Sequence, residues 1–229
     1  MELHVGTSGY SYAEWKGTFY PKGMPAAEML AFYAAHFDTV EINNTFYRMP
    51  KAAMLETWAA QVPPHFLFVL KAPQWITFRK DLAGAAGGAA QFHAVAATLG
   101  ARLGPLLFRI PPFLEKDVAK LALLLAALPP AQRVALEFLH ESWFDDEVYA
   151  LLRARDVAIC LSDTDEATPI VVPTARWGYL RLRRTEYTPR TLAEWRARIE
   201  AQPWQEAFVF FKHEDEGKGP KFAREFLGV

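Results

Sequence analysis

Eight short apolar runs of β type recur along the whole chain, and most of them are separated by stretches in which apolar residues have helical spacing. Strands that alternate with helices indicate a parallel sheet with right-handed crossovers. A count of eight favours a closed α/β barrel of the (β/α)8 TIM type over an open sheet. The predicted strands occupy residues 4–8, 39–43, 66–72, 105–110, 134–139, 157–162, 177–183 and 207–213.

The connections between these runs favour a single domain over residues 1–229, since no linker rich in Gly, Ser or Pro divides the chain. The sixth crossover is the exception among them, because residues 164–176 contain Pro169 and Pro173 and show no helical period. We predict a loop there, which makes the barrel imperfect at that point. The predicted helices cover 25–37, 52–61, 89–99, the leucine-rich stretch from Asp117 to just before Pro129, 145–155, 189–201 and 220–227.

Composition limits the partners and the compartment. The formal net charge of −1 does not select for nucleic acid or for anionic membranes, although a local basic patch is compatible with it. The single cysteine, Cys160, excludes an internal disulfide, is typical of a reducing cytosol, and lies in an apolar run that indicates a buried side chain. No signal peptide is visible, and no apolar run approaches membrane-spanning length. We therefore expect a cytoplasmic protein with no membrane partner.

Polar and ionisable residues fall within or just after nearly every apolar run. Helices cover the outside of an α/β barrel, so a charge costs least in the lumen near an open end. Alternation along a strand places Glu41 and Asn43 on one face, and Arg181 and Arg183 on one face. We predict that these ionisable groups meet at the carboxyl end of the barrel, where such barrels hold their active sites. The residues in question are Glu41, Lys71, Arg109, Glu137, Asp163, Arg181 and His213.

Five segments, in order along the chain, form a set of motifs. They are Gly6–Tyr12 with Trp15 and Phe19–Pro21; Glu41–Tyr47; Phe68–Pro73 with Ile76 and Thr77; Glu137 and Phe138 with His140, Ser142 and Trp143; and Asp215–Lys221 with Ala223. Together they resemble the YecE-like family, also called domain of unknown function 72. The resemblance implies a (β/α)8-type barrel and no particular activity. The chain departs from the family pattern at Arg109, at Leu139 and at Lys212–His213, so no family role is carried over to those positions.

The loops after the strands are rich in aromatic residues, among them Tyr10, Tyr47, Trp75, Trp143 and Tyr187. Such rings can stack on sugars or nucleobases, or they can pack on one another as an accessory core that closes the barrel top. Both interpretations stay open at this point.

An anion-binding position is also predicted, between the first strand and the last helix. Backbone amides near Gly6–Gly9 and Gly217–Lys221 can cradle an anion, and Lys218 and Lys221 add positive charge. A tight turn before a helix that starts at a proline is the alternative.

Metal and cofactor sites are not predicted. His140 and His213 have acidic neighbours in the sequence, but no paired-histidine motif is present. No G-x-G-x-x-G motif follows a strand, which disfavours a nicotinamide cofactor.

The leading functional hypothesis is an enzyme that acts at the barrel mouth by hydrolysis or another acid–base reaction on a polar, ring-containing small molecule that can carry phosphate. Glu41 and Glu137 are the candidate acid–base carboxylates, and a glycoside hydrolase with two carboxyls is one version. The candidate catalytic residues are Glu41, Lys71, Glu137 and Arg181, and the candidate substrate contacts are Ser8, Tyr10, Asn43, Tyr47, Arg109, His140, Trp143, Asp163, His213 and Lys218.

Two alternatives use the same residues. The charges could form a purely internal ion-pair network, which is not by itself evidence of catalysis. The mouth could also belong to a non-catalytic module that binds a ligand or nucleic acid, for which basic residues interleaved with aromatics near Trp75 and Tyr187 are the support. An enzyme mouth should be mixed in sign, whereas a nucleic-acid groove should be predominantly positive.

Overall fold

All eight predicted strands are present in the computed structural model, which describes residues 1–229, and they form one parallel sheet in the order β1-β8-β7-β6-β5-β4-β3-β2. Consecutive strands are neighbours throughout, as right-handed βαβ units require. The barrel fold predicted from the sequence is confirmed. The strands are β1 (Glu2–Thr7), β2 (Thr39–Ile42), β3 (Leu67–Lys71), β4 (Leu103–Ile110), β5 (Val134–Phe138), β6 (Ala158–Asp163), β7 (Trp177–Leu182) and β8 (Glu206–Phe211).

Helices cover the outside of the sheet between most strands. The α-helices are α1 (Met29–Ala34), α2 (Asn44–Tyr47), α3 (Ala52–Ala59), α4 (Gln74–Thr77), α5 (Ala85–Ala96), α6 (Val118–Ala126), α7 (Asp146–Ala154), α8 (Pro189–Glu200) and α9 (Lys218–Leu227). Short 3-10 turns lie at Ala13–Trp15, Ala26–Glu28, Ala97–Arg102 and Glu141–Trp143. No helix joins β6 to β7, which confirms the predicted loop in the sixth crossover.

The helix before β4 begins four residues earlier than the sequence pattern predicted, because it includes two glycines. A Cβ at Gly88 would lie 2.9 Å from the ring of Trp75. This glycine therefore serves a close approach between α5 and the loop after β3, and it does not end the helix.

Seven of the eight pairs of neighbouring strands in the barrel are joined by ladders of hydrogen bonds. The eighth pair, β1 and β2, forms a seam, where only a single bridge joins the strands, from Ser8 to Glu41. Below this bridge the phenol of Tyr33 takes the place of a ladder hydrogen bond. Its oxygen accepts from the amide of Thr7 at 2.8 Å and donates to the carbonyl of Thr39 at 3.1 Å.

The amino end of the same seam is held by the side chains of His4 and Asp38, whose Nδ1 and Oδ2 atoms lie 2.6 Å apart. Gly6 faces the seam, where a Cβ would lie 2.2 Å from the Thr39 carbonyl oxygen. A glycine is thus required for the two strands to approach with a tyrosine between them.

The barrel interior has an apolar lower layer and a polar upper layer. The lower layer consists of lumen-facing side chains that pack on one another: Val69, Leu107, Ala135, Ala158, Cys160, Trp177, Tyr179, Phe208 and Phe210. Cys160 is buried there, and burial raises the pKa of its thiol well above the usual range, in agreement with the predicted role of a small apolar side chain. The next lumen positions toward the carboxyl ends of the strands are polar.

No helix in the structure combines the length and the apolar character that crossing a bilayer demands. The chain also contains no group of three His, Cys, Asp or Glu side chains arranged so as to hold a metal ion.

Candidate functional site

The four residues predicted to be catalytic meet in the upper layer of the barrel lumen, as the sequence indicated. Arg181 pairs in register with Ser162 of β6, and Arg109 pairs with Glu137 of β5. Alternation along each strand then gives the full set of polar side chains that face the lumen at the carboxyl ends of the strands. They are Ser8, Glu41, Lys71, Arg109, Glu137, Ser162, Arg181, Arg183 and Lys212. Arg183 and Lys212 lie one lumen position beyond Arg181 and Phe210.

Arg181 is the centre of the layer, and its side chain is only 2% exposed. Its Nη2 lies 3.0 Å from Oε1 of Glu41, and its Nη1 lies 3.0 Å from Oε1 of Glu137. One guanidinium therefore holds both carboxylates, which fixes their positions with respect to each other.

Glu41 has hydrogen bonds on both of its oxygens. Oε1 accepts from the hydroxyl of Ser8 and from Nε of Arg181, and Oε2 accepts from the phenol of Tyr179 at 2.5 Å. Burial alone would raise the pKa of Glu41, but the charges of Arg181 and Lys71, together with these hydrogen bonds, lower it. Glu41 is thus an ionised and saturated carboxylate, typical of a structural ion pair.

Glu137 is held less completely. Its Oε1 is paired with Arg181, and Nη1 of Arg183 lies 3.6 Å away. Nε of Arg109 lies 3.1 Å from Oε2, but its N–H does not point at that oxygen, so the buried Oε2 accepts no hydrogen bond. Burial would raise the pKa of Glu137, and the surrounding cations, Arg181 first among them, lower it. A buried carboxylate oxygen without a donor is open to a hydrogen bond from a bound molecule.

Lys71 is the one cation of the layer that is both buried and unpaired. Its side chain is 6% exposed, it forms no ion pair, and its Nζ lies 4.4 Å from the centroid of the Phe46 ring. Burial lowers the pKa of Lys71 to about 8, assisted by the charges of Arg181 and Arg109 and opposed by those of Glu41 and Glu137.

The layer carries an excess of positive charge. Five cations lie in it, namely Lys71, Arg109, Arg181, Arg183 and Lys212, and only two carboxylates, Glu41 and Glu137. The pKa of Lys212 is lowered, first by burial and then by the charges of Arg183 and Arg181, whereas Glu214 and Glu41 act in the opposite direction. A surplus of three positive charges at one place thus coexists with a net charge of −1 for the whole chain.

Two predicted substrate contacts, Asp163 and His213, face away from the lumen. Asp163 is fully buried on the outer side of the sheet, where it binds Arg184 and accepts hydrogen bonds from Tyr187 and Trp195. The Nε2 atom of His213 contacts the carbonyl of Arg184. The prediction that these two side chains face the barrel mouth is wrong, because alternation turns them toward the covering helices.

Trp143 and His140 hold the loop after β5 together. Trp143 is fully buried, stacks on Phe138 with centroids 5.0 Å apart, and donates from Nε1 to the carbonyl of Leu114 at 2.7 Å. It is therefore not available as a substrate contact. Nδ1 of His140 lies 2.9 Å from the hydroxyl of Ser142 and caps the short 3-10 turn.

The predicted anion position between the first strand and the last helix is filled by protein. A Cβ at Gly219 would meet Thr7 at 3.3 Å and the indole of Trp15 at 3.4 Å, and Trp15 is fully buried. Lys218 forms an ion pair with Glu186 outside the barrel. The positive charge of the mouth therefore comes from strand residues and not from Gly217–Lys221.

Aromatic side chains form part of the rim, as the sequence suggested. Tyr47, Phe113 and Phe144 are 72%, 60% and 54% exposed, and they lie in the loops after β2, β4 and β5. Trp75, in the loop after β3, is exposed as well. The accessory-core alternative holds instead for the buried rings of Trp15, Tyr20, Trp143 and Tyr187.

A small cavity of about 160 Å³ lies beside the seam. Tyr10, Tyr12, Asn43 and Trp58 are among the residues that line it. The phenol of Tyr12 donates to the backbone carbonyl of Ser8 at 2.7 Å, which ties this wall of the cavity to the end of β1.

Three residues outside the predicted set belong to the layer, and a fourth, Tyr179 of the lower layer, donates a hydrogen bond to Glu41 of this layer. Arg183 and Lys212 follow from alternation beyond Arg181 and Phe210, and Ser162 follows from its pairing with Arg181. Tyr179 carried no such signal, since its place in an apolar run was indistinguishable from that of a core residue.

The comparisons with known proteins agree with this architecture. The model of the family described as "Protein of unknown function DUF72" matches residues 4–228. YunF of Bacillus subtilis is 26% identical over 159 residues, covering 64% of this chain and 54% of the relative. YecE of Escherichia coli K12 is 26% identical over 143 residues, covering 62% of this chain and 50% of the relative. The chain thus spans about half the length of the curated relatives it matches.

Solved structures match over the full barrel. A DUF72 family protein from Thermotoga maritima superimposes with a TM-score of 0.84 at 25% identity and covers 100% of this chain and 98% of its own. A DUF72 family protein from Enterococcus faecalis gives a TM-score of 0.81 at 17% identity, covering 99% of this chain and 96% of its own, which supports the fold alone. The chain therefore belongs to the DUF72 family of proteins of unknown function, and its fold is a (β/α)8 TIM-like barrel with one unsealed seam.

Proposed function

We propose that the barrel mouth is the active site of an enzyme that binds a small anionic substrate and acts on it by proton transfer. The observation that carries the proposal is the surplus of cations in the upper lumen layer. An internal ion-pair network is most stable when its charges balance, because every unpaired buried charge costs free energy. Three cations beyond neutrality, two of them lysines with lowered pKa values, would be stabilised by an anion supplied by the substrate.

We assign a role to each charged group according to how many hydrogen bonds and ion pairs it already forms within the protein. Glu41 and Arg181 form a saturated pair that supports the layer. Glu137 supplies the proton acceptor through its free Oε2, and Arg183 and Lys212 bind the anionic group together with Arg109. Both carboxylates have lowered pKa values. They are thus ionised at neutral pH, and the glycoside-hydrolase version, which needs a carboxylic acid with a raised pKa, is disfavoured.

The surroundings of the layer favour a substrate with a ring. The cavity of about 160 Å³ beside the seam is the size of a single small ring, and Tyr10, Tyr12 and Trp58 offer it aromatic walls. Asn43 offers an amide to its polar groups. A monosaccharide or similar ring that carries a phosphate group combines these two requirements.

The binding part of the proposal is tested by calorimetric titration with glucose 6-phosphate, inorganic sulfate and unphosphorylated glucose. We expect the phosphorylated sugar to bind best and a double variant, Arg183→Gln with Lys212→Gln, to lose at least about tenfold in affinity. Arg190→Gln is the control, because Arg190 is exposed on α8 and pairs only with Glu194. Equal affinity of the double variant and the control for every anion would overturn the proposal.

The chemical part is tested by NMR detection of deuterium incorporation from D₂O into phosphorylated sugars. Incorporation should occur with the unaltered protein and fall by roughly 10²–10⁴-fold in Glu137→Gln, which keeps the shape of the side chain but not its basicity. If aldose and ketose phosphates bind but none of them exchanges a proton for deuterium, the mouth is a binding site and not an active site.

A second candidate function is the binding of single-stranded nucleic acid, which is favoured by the excess of positive charge in the layer and by the exposed aromatics Tyr47, Phe113 and Phe144. Bases can stack on such rings beside a positive groove. A labelled oligonucleotide should then bind with an affinity that falls steeply with salt, and a Tyr47→Ser, Phe113→Ser variant should weaken it while sulfate binding stays unchanged. Binding of glucose 6-phosphate but not of the oligonucleotide would favour the enzyme.

A further inference from the structure

We propose that Lys71 is a covalent nucleophile, whose amine forms an imine with an aldehyde or ketone group of a substrate that also carries phosphate or carboxylate. The inference rests on the proposed function, because the same mouth must first hold the anionic group. It extends that function by naming the reacting bond and the class of the substrate.

The position of Lys71 differs from that of every other cation in the layer. The three arginines lie beside carboxylates, and Lys212 is only half-buried. Lys71 is buried, lies over the face of Phe46, and has no carboxylate to hold it. A lysine desolvated in this way beside another cation is an activated amine. Arginine would serve as well or better for simple anion binding.

The backbone that carries Lys71 is fixed. The hydroxyl of Thr45 donates to the carbonyl of Lys71 at 2.6 Å, and the amide of Ala72 donates to the carbonyl of Leu107 at 2.8 Å. The amine is therefore presented from a rigid strand end, as a nucleophile requires.

Four charged groups act on the amine from the strands around it. Arg181 and Arg109 disfavour its protonated form, whereas Glu41 and Glu137 favour it. Together with burial these charges leave the pKa at about 8. At neutral pH roughly a tenth of Lys71 is then a free amine, compared with less than about a thousandth for an ordinary lysine.

The reaction balances with the solvent as the proton carrier. The ammonium of Lys71 first loses one proton to solvent, as its pKa of about 8 allows, and the nitrogen lone pair then forms a bond with the carbonyl carbon while the carbonyl electron pair moves to the oxygen. One proton passes from the nitrogen to this oxygen, which gives a neutral carbinolamine. The nitrogen lone pair then expels the oxygen, which takes up a proton from solvent and leaves as water. Ammonium and carbonyl are thus converted to iminium and water, with one positive charge on each side and no oxidant or reductant.

The test is reductive trapping. The protein is incubated at pH 8 with dihydroxyacetone phosphate, pyruvate or acetone, treated with sodium borohydride, digested and mapped by mass spectrometry. We expect an adduct on the peptide that contains Lys71, at least about tenfold more abundant with one of the two anionic ketones than with acetone. Dihydroxyacetone phosphate and pyruvate distinguish phosphate from carboxylate as the recognised anion.

Two variants separate the possible failures. Lys71→Arg keeps the charge, so it should retain sulfate binding and lose the adduct, whereas Lys51→Arg, at an exposed lysine, should be labelled like the unaltered protein. Adducts spread over exposed lysines with none at Lys71, in a protein that still binds sulfate, would overturn the nucleophile and leave the proposed function standing. Absence of sulfate binding would overturn both. The peptide map of the unaltered protein decides the matter even if Lys71→Arg does not fold.

Discussion

Two glutamates that look equivalent in the sequence have different environments in the barrel. Each follows a bulky residue late in an apolar run, and each contacts Arg181. Glu41 has hydrogen bonds on both oxygens, whereas Oε2 of Glu137 has none. The difference separates a carboxylate that supports the layer from one that can take part in a reaction.

This difference predicts an order of stabilities. Glu41→Gln places an amide against Ser8, Tyr179 and Arg181, so we expect a loss of roughly 3–5 kcal/mol, the usual result of breaking a buried pair. Glu137→Gln should cost clearly less, because Oε1 can still accept from Arg181, and Arg109 and Arg183 can turn to solvent. Denaturant unfolding of the two variants measures the difference. Equal losses, or a larger loss in Glu137→Gln, would show that Glu137 is the structural residue.

At this scale the sequence correctly predicted which residues face the lumen in the middle of the layer. At the ends of β6 and β8 it selected residues one position away from those that face the lumen. Glu41, Glu137 and Arg181 lie within apolar runs, so alternation determined their face. Asp163 lies at the end of β6, and His213 lies beyond the end of β8. Their ionisable side chains suggested that they face the lumen, but it is their neighbours Ser162 and Lys212 that do so. Strict alternation would have selected the neighbours.

At the scale of elements, the least expected feature is the seam between β1 and β2. The eight apolar runs predicted the eight strands, and Pro169 and Pro173 predicted that no helix would connect β6 to β7. Nothing in the periodicity of β1 showed that its ladder to β2 would be replaced by side chains. Tyr33 is one of the apolar residues of an amphipathic helix, and this pattern is equally compatible with an ordinary packing contact in the core.

Tyr33→Phe should loosen this seam specifically. The substitution leaves the buried amide of Thr7 and the carbonyl of Thr39 without their partner, which costs about 1–3 kcal/mol. Hydrogen exchange should accelerate in β1 and β2 and stay slow in β4 and β5. Tyr47→Phe is the matched control, since the side chain of Tyr47 is 72% exposed. Uniform acceleration across the sheet, or none, would mean that the phenol does not close the barrel.

For the whole molecule, the important property is how charge is distributed and not its sum. The chain is nearly neutral, and the composition therefore gave no reason to expect an anionic ligand. Folding collects Lys71, Arg109 and Arg181 from three strands and Arg183 and Lys212 from the positions just after β7 and β8, whereas many acidic residues remain on the outer surface. Only the closed barrel reveals this surplus, because it depends on which face of each strand turns inward.

The surplus predicts that anion binding is coupled to proton uptake. Sulfate in the mouth would favour the charged forms of Lys71 and Lys212 and raise their pKa values, so the protein should take up a fraction of a proton per sulfate near pH 8. Because the free protein loses the proton of Lys71 at a pH of about 8, the affinity for sulfate should be highest below that pH and weaken above it, by roughly tenfold between pH 7 and pH 10.

Sulfate itself does not titrate in this range, so any proton that is taken up binds to the protein. Calorimetry in two buffers with different ionisation enthalpies measures the uptake directly, and Lys71→Arg should remove most of it. Proton release, or an affinity that rises with pH, would show that the lysines do not face the bound anion.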